Sequence, residues 1–255
     1  MLRLERAGSV ATIWLDNPAR HNALDLRGAA ELDRLTALCD DPAIDIIVLR
    51  ARGTFCVGGD INEFHAERER IEAHILGITE HFHRAILRLA TGRATSVAVV
   101  EGMAAGGGFA LALACDIMIA STAARFVTAW SDLGFSPDGG ASHFLTRRLG
   151  AARAFDLLVL DRPIDAQQAF DLGIATRLAA PDAIDDAVRQ LVGEVGRKAA
   201  DSRAAIKALV AAAATAPLAD QLEAERRSIA GLAATLAARK RVEDFLNRRR
   251  APLGS

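Results

Sequence analysis

Two glycine runs and one acid carry the residue types from which a reaction can be built. The segments FCVGGDINEF (55–64) and EGMAAGGGFALALACDI (101–117) each place glycine where a backbone can approach a ligand without a Cβ clash. Backbone N–H groups brought that close can stabilise charge developing on an oxygen. The second run leads into ALALACDIMIA, which reads as helix then strand, so Gly107 opens a helix whose positive end can face an anion. The acid is Asp138 in Ser136-Pro137-Asp138-Gly139-Gly140. It offers a carboxylate for proton transfer or covalent attack, or an ordinary helix start with Ser136 as N-cap and Pro137 at N1. His83, in HFHRAILRLA, is a base or a half-buried helix histidine, and Trp130 is a substrate contact or core filler.

These residues need a scaffold, and apolar periodicity predicts one. Residues 9–15 read as a strand, Asp25 to Leu38 as a helix ended by Asp40-Asp41-Pro42, and Ile46 to Ala51 as a buried strand. A long helix over Glu67 to Leu89 and the strand-like SVAVVEG follow. Strand, helix and strand in alternation indicate an α/β fold. From about Pro181 the chain is Ala-rich and amphipathic, with helices expected near 182–197, 201–213, 218–236 and 238–249. Their apolar stripes call for cover, over a site or against a partner subunit.

Composition narrows the possibilities. The 255 residues are 51% hydrophobic, enough for one substantial core with an appendage. With 31 Lys plus Arg against 32 Asp plus Glu, the net charge of −1 gives no field favouring nucleic acid or an anionic membrane. The tail Arg248-Arg249-Arg250 is read as meeting a helix dipole, not as a nucleic-acid patch. Cys39, Cys56 and Cys115 are widely spaced among apolar residues, so buried thiols in a reducing compartment are expected, with no disulfide and no metal site. The N-terminus has no signal-peptide pattern and no apolar run is long enough for a membrane span, so a cytoplasmic protein is expected.

Four stretches together resemble the enoyl-CoA hydratase/isomerase (crotonase) family: Arg20-His21-Asn22-Ala23-Leu24, the two glycine segments, and LGFSPDGGASHFL (133–145). The resemblance implies a crotonase-like spiral of ββα repeats over 1–195, and a C-terminal helical trimerisation or lid region over 196–255. It also implies a homotrimer, or a homohexamer built as a dimer of trimers. The substrate would be an acyl-CoA thioester, with coenzyme A part of the substrate and no tightly bound cofactor. Gly59 and Gly107 match the positions whose N–H groups form the family's oxyanion hole. His21, Asn22, Ala23, Leu24, Asp60, Ile61 and Asn62 match the coenzyme A and pantetheine path, and Lys207 is placed to reach a phosphate or is a solvated helix lysine.

The sequence departs from the family's hydratases at both catalytic glutamates, which fall by spacing at Ala110 and Trp130. Neither side chain exchanges protons with water at neutral pH, so two-glutamate hydration is not expected. Isomerases of the family present a carboxylate from the position of Asp138, and double-bond isomerisation with Asp138 as acid and base is the leading reading. It requires a dry apolar setting, expected from Trp130, Leu133, Phe135 and Phe144. Trp130, Asp138 and His83 also resemble, in type and separation, the tryptophan, nucleophilic aspartate and histidine base of the 4-chlorobenzoyl-CoA dehalogenase branch, although Gly59 stands where that branch has a bulky aromatic. A coenzyme A-binding scaffold without catalysis is the third reading.

Overall fold

The computed structural model describes residues 2–250, with side chains through residue 247. Among the described residues, nine strands form two sheets. The larger is ordered β1 (Leu2–Ala7), β2 (Val10–Leu15), β3 (Ile46–Arg50), β4 (Thr95–Val100), β6 (Ile117–Ser121) and β9 (Arg177–Ala179). Only the β1–β2 hairpin is antiparallel; the other pairings in it are parallel. The smaller sheet is β5 (Met103–Ala105), β7 (Arg125–Val127) and β8 (Ile164–Asp165). The hairpin supplies a strand that alternation over 9–15 alone does not separate, because Gly8 at φ +60° turns the chain between the two.

Eleven α-helices are described: α1 (Leu26–Leu38), α2 (Ile61–Ala66), α3 (Ile71–Thr91), α4 (Gly107–Leu113), α5 (Ala141–Leu149), α6 (Ala151–Leu160), α7 (Ala166–Asp171), α8 (Ile184–Gly196), α9 (Ala200–Ala213), α10 (Leu218–Ala233) and α11 (Leu236–Arg250). The helix expected over 67–89 is α3, which starts only at Ile71 because Arg68–Arg70 form a 3-10 turn that separates it from α2. The side chains of Arg248 to Arg250 lie outside the described residues.

The ββα repeat is visible in the connectivity. β4, β5 and α4 make one unit, and β6, β7 and α5 the next; the first strand of each joins the large sheet and the second the small one. In the preceding turn of the chain Cys56 takes the second-strand place by bridging Ala104. This stacking brings residues 55–60 alongside residues 103–107, which is what the site requires.

Both faces of the large sheet are covered at its centre, so β3, β4 and β6 are almost wholly buried and mostly apolar. Val48, Val97, Val99 and Ile119 pack with Ile184, Val188 and Leu191 of α8 on one face. On the other, Leu49, Ala98 and Met118 join Leu32 and Leu35 of α1, Phe82, Ile86 and Leu89 of α3, and Phe109 of α4. α1 starts where Asp25 accepts from Gly28 N at 2.7 Å. α1 and α3 are tied by Asp33, whose carboxylate meets His81, Arg84 and Arg88.

The chain divides into two compact units after Ala200. In the second unit α9 and α10 bury no residue, and Ile206, Val210, Leu222 and Ile229 are exposed. No described helix is long and apolar enough to cross a membrane. All three cysteines are buried thiols.

Candidate active site

The two glycine segments meet. Leu24 N donates to Gly58 O at 2.8 Å and Asp60 N to Leu24 O at 3.1 Å, while Ala105 N donates to Cys56 O at 2.9 Å. Residues 56–60 are thus stitched on both sides, and Gly58 adopts φ +90°. A Cβ on Gly58 would stand 2.9 Å from Gly107 N, so only glycine lets the loops approach this closely. Gly107 begins α4, as expected. The N–H groups of Gly59 and Gly107 find no acceptor among the described residues. Two free donors on adjoining loops are what an oxyanion needs.

Both donors border a cavity of about 770 Å³, which is also lined by His21, Ala23, Leu24, Asp60, Ile61 and Asn62 and closed by Phe64, Phe82, Trp130, Phe135 and Asp138. Phe144, expected in this wall, instead packs beside Gly140. The room above Gly59 is taken by Phe64, since a Cβ there would stand 2.5 Å from its ring. The ring beside Gly59 thus comes from α2, five residues along the chain.

Asp60 does two jobs. It caps α2 by accepting from Asn62 N and Glu63 N, and it pairs with Arg20, clipping the 17–25 turn to the glycine loop. In that turn His21 and Asn22 have φ +49° and +56°. Asn22 is buried and holds the turn: its Nδ2 donates to Thr54 O at 2.7 Å and its Oδ1 accepts from Asn17 N at 2.6 Å. Asn22 is not part of the cavity lining, and Lys207 lies on α9 in the second unit.

Asp138 does not start a helix. Gly139 and Gly140 take φ +58° and +78°, and α5 begins only at Ala141, with no side-chain cap. The N-cap reading of 136–138 gives way to a different arrangement, in which Trp130 Nε1 donates to Asp138 Oδ1 at 3.0 Å. The other carboxylate oxygen is 3.8 Å from His83 Nε2. That nitrogen accepts the Gly139 N–H at 3.1 Å, so its lone pair is engaged and His83 links α3 to the 138–140 turn. His83 is half-exposed and lies outside the cavity lining. Spacing does bring His83, Trp130 and Asp138 together.

The two positions that hydratases of the family fill with glutamate touch here. Ala110 and Trp130 pack with Ala141 in one buried cluster, a small residue making room for a large one. No carboxylate stands at either position, so this cluster cannot activate water.

The 128–132 loop behind Trp130 depends on a residue that motif reading passes over. Asp161, at the end of α6, accepts from Trp130 N at 3.3 Å, from Asp132 N at 2.9 Å and from the Thr128 hydroxyl. Burial opposes its charge, but these donors hold its carboxyl below the usual range. Burial pushes the Cys56 thiol, under the glycine loop, up to about 12, so no nucleophile lies there.

Residues 5–255 match the sequence profile of the family described as enoyl-CoA hydratase/isomerase. The chain belongs to this family. It is 30% identical to 4-chlorobenzoyl coenzyme A dehalogenase-2 of an Arthrobacter species over 82% of this chain and 75% of that protein. It is 32% identical to the 1,2-epoxyphenylacetyl-CoA isomerase of Escherichia coli K12 over 94% and 93% of the two chains. A Thermobifida fusca YX protein solved in complex with acetoacetyl-CoA superposes with a TM-score of 0.85 at 33% identity, covering 92% of this chain and 95% of that one. The fold is the crotonase fold of enzymes that act on coenzyme A thioesters.

Proposed function

We propose that this enzyme isomerises a double bond, or an equivalent proton position, in the acyl group of a coenzyme A thioester, with Asp138 as the single acid and base. The contact that carries the reading is Trp130 Nε1 to Asp138 Oδ1. One carboxylate oxygen is fixed by the indole, the other is left for a substrate proton, and the whole group borders the cavity that holds the two free N–H donors. Asp138 takes a proton from one acyl carbon. The electron pair moves through the conjugated system to the thioester oxygen, which the Gly59 and Gly107 N–H groups stabilise. Protonated Asp138 then gives a proton to another carbon as the charge leaves the oxygen. No water enters the balance, which fits Ala110 and Trp130 at the glutamate positions. The thioester's pantetheine arm is assigned to the turn of His21, Ala23 and Leu24 and to Asp60, Ile61 and Asn62. Lys207 is assigned to a phosphate.

The test is a panel of 3-enoyl- and 2-enoyl-CoA thioesters, followed by absorbance of the conjugated thioester and by solvent deuterium incorporation. Isomerisation by the native enzyme and its loss in both Asp138→Asn and Asp138→Ala is expected. Full turnover by either variant removes the reading.

The 3.8 Å approach of His83 to Asp138 favours one alternative, hydrolytic dehalogenation of a haloaryl-CoA, in which Asp138 displaces halide from a ring carbon and water then cleaves the aryl ester at the Asp138 carbonyl. It requires His83 to release the Gly139 N–H before taking a proton from water. Heavy-oxygen water would then label the Asp138 side chain during turnover, whereas isomerisation leaves it unlabelled. We assign the helical region from 196 onward to trimer formation or to a lid, on the strength of its exposed apolar residues. Sedimentation at a mass of three or six chains is the check.

A further inference from the structure

We propose that Asp161 is a positioning residue, which sets the Trp130–Asp138 pair by holding the 128–132 loop from behind. The catalytic consequence rests on the reading of Asp138 as acid and base; the positioning itself does not.

Asp161 sits at the C-cap of α6 with φ +46° and ψ +26°, a left-handed conformation that a non-glycine residue adopts only when something holds it there. It is 6% exposed, and no cation pairs with it among the described residues. Its carboxylate is met by donors of one loop: the Thr128 hydroxyl and the backbone N–H groups of Trp130 and Asp132. The Trp130 and Asp132 N–H groups belong to the amino end of the short 3-10 helix Ser131–Leu133, for which Trp130 is the N-cap residue. The same loop is under backbone tension at Ala129, φ +56°, which lines the cavity beside Trp130. Downstream, Trp130 O accepts from Leu133 N and Phe135 N, at 3.1 and 2.9 Å. The backbone of Trp130 is therefore fixed on both sides, and its indole, packed with Ala110 and Ala141, donates to Asp138 Oδ1. A buried carboxylate that makes no substrate contact thus determines where the cavity carboxylate points.

The experiment uses ¹⁵N-labelled full-length enzyme. It has two tryptophans, Trp14 and Trp130, so two indole N–H signals are expected, assigned with Trp130→Phe. Asp138→Ala defines the position of a Trp130 indole without its acceptor. Asp161→Gly accepts the left-handed backbone and removes only the carboxylate. Asp161→Asn keeps the shape but turns an amide N–H₂ toward the loop's N–H groups, and it serves if the glycine variant does not fold. The Trp130 signal should move in either variant toward its Asp138→Ala position, with kcat down about 10-fold or more and KM changed by less than about 3-fold, as expected for lost orientation. An unmoved signal in a folded variant overturns the proposal, and so does a moved signal with unchanged kcat. Should Asp138→Ala itself retain turnover, the reading of Asp138 fails and the signal alone decides the role of Asp161.

Discussion

Trp130 Nε1 and Asp138 Oδ1 stand 3.0 Å apart, and this contact joins a buried residue of the 128–132 loop to a carboxylate that lines the same cavity as the two free glycine N–H groups. The indole N–H orients one carboxylate oxygen, while the other stands 3.8 Å from His83 Nε2. A phenylalanine fills similar volume but donates nothing. A hydrogen bond to a charged group is worth about 1.5–3 kcal/mol, so Trp130→Phe should lower kcat by about 10- to 100-fold with little change in KM. Steady-state kinetics on a confirmed thioester substrate checks this. A fall confined to KM would assign Trp130 to substrate binding instead.

The glycines around the site should not respond alike. A Cβ at Gly108 would stand 2.1 Å from Cys56 O, a backbone atom fixed by its bond to Ala105 N, so Gly108→Ala should fail to fold or lose more than about 3 kcal/mol. A Cβ at Gly107 meets Gly58 Cα and the Phe82 ring at 3.6 Å, ordinary contact, so Gly107→Ala should keep its unfolding midpoint. Gly59→Ala drives the Phe64 ring out of its place. Its activity should fall, and Phe64→Ala in the same chain should restore part of it. Urea unfolding and kcat/KM on the four variants separate folding from function.

Much of this site is legible in the sequence because its demands are local. Positive φ at Gly58 and Gly106 and the close approach at Gly58 and Gly108 leave a glycine signature, and β3, β4 and β6 are mostly apolar because both faces are covered. Other features depend on residues distant in sequence. Asp161 is 31 positions from Trp130 and looks like a turn residue before Arg162-Pro163. Phe64 over Gly59 is invisible to spacing, since the bend between 60 and 61 decides it. The capping reading of Ser136 and Pro137 was reasonable for the local pattern, but two successive left-handed glycines postpone α5 and leave Asp138 free to meet the indole. The segment 151–180 carries three short elements, β8, α7 and β9, too brief for a periodic signal.

Acid should weaken the fold at the α1–α3 contact. Burial disfavours the Asp33 charge, but hydrogen bonds from His81, Arg88 and Arg84 outweigh it and lower its pKa from 3.8 to about 2. A depressed carboxylate pKa contributes stability above the unfolded value, and that contribution is lost as pH falls from about 4 to about 2. Arg84 is partly exposed, so screening reduces the full linkage value to about 1–2 kcal/mol. Asp33→Asn should lose this amount at pH 7 and show a smaller further loss than the native chain between pH 4 and pH 2. Denaturant unfolding across that range measures both; equal acid sensitivity in the two proteins would place the labile group elsewhere.

Restoring a hydratase glutamate should not restore hydration. Ala110 is fully buried and packs against Trp130 and Ala141, while its Cβ lies near Gly139, where a Cβ would come within 2.8 Å of it. A glutamate there must displace the indole, bury its charge without a paired cation, or take up a proton; each route costs several kcal/mol. Displacing the indole also removes the donor to Asp138. Ala110→Glu should therefore unfold at a lower temperature and lose the native activity without hydrating crotonyl-CoA. Changing Trp130→Glu in the same chain opens space for both acids, yet leaves Asp161 holding a loop that no longer presents an indole to Asp138. Even this double variant should keep Asp138 within reach of the acyl group, a third carboxylate beside two. Crowding raises the affinity of such a cluster for protons and denies it the paired ionised state that water activation needs. Hydration by the double variant at a rate comparable to native turnover would mean that the loss of the glutamates, not the Trp130–Asp138 pair, defines this branch of the family.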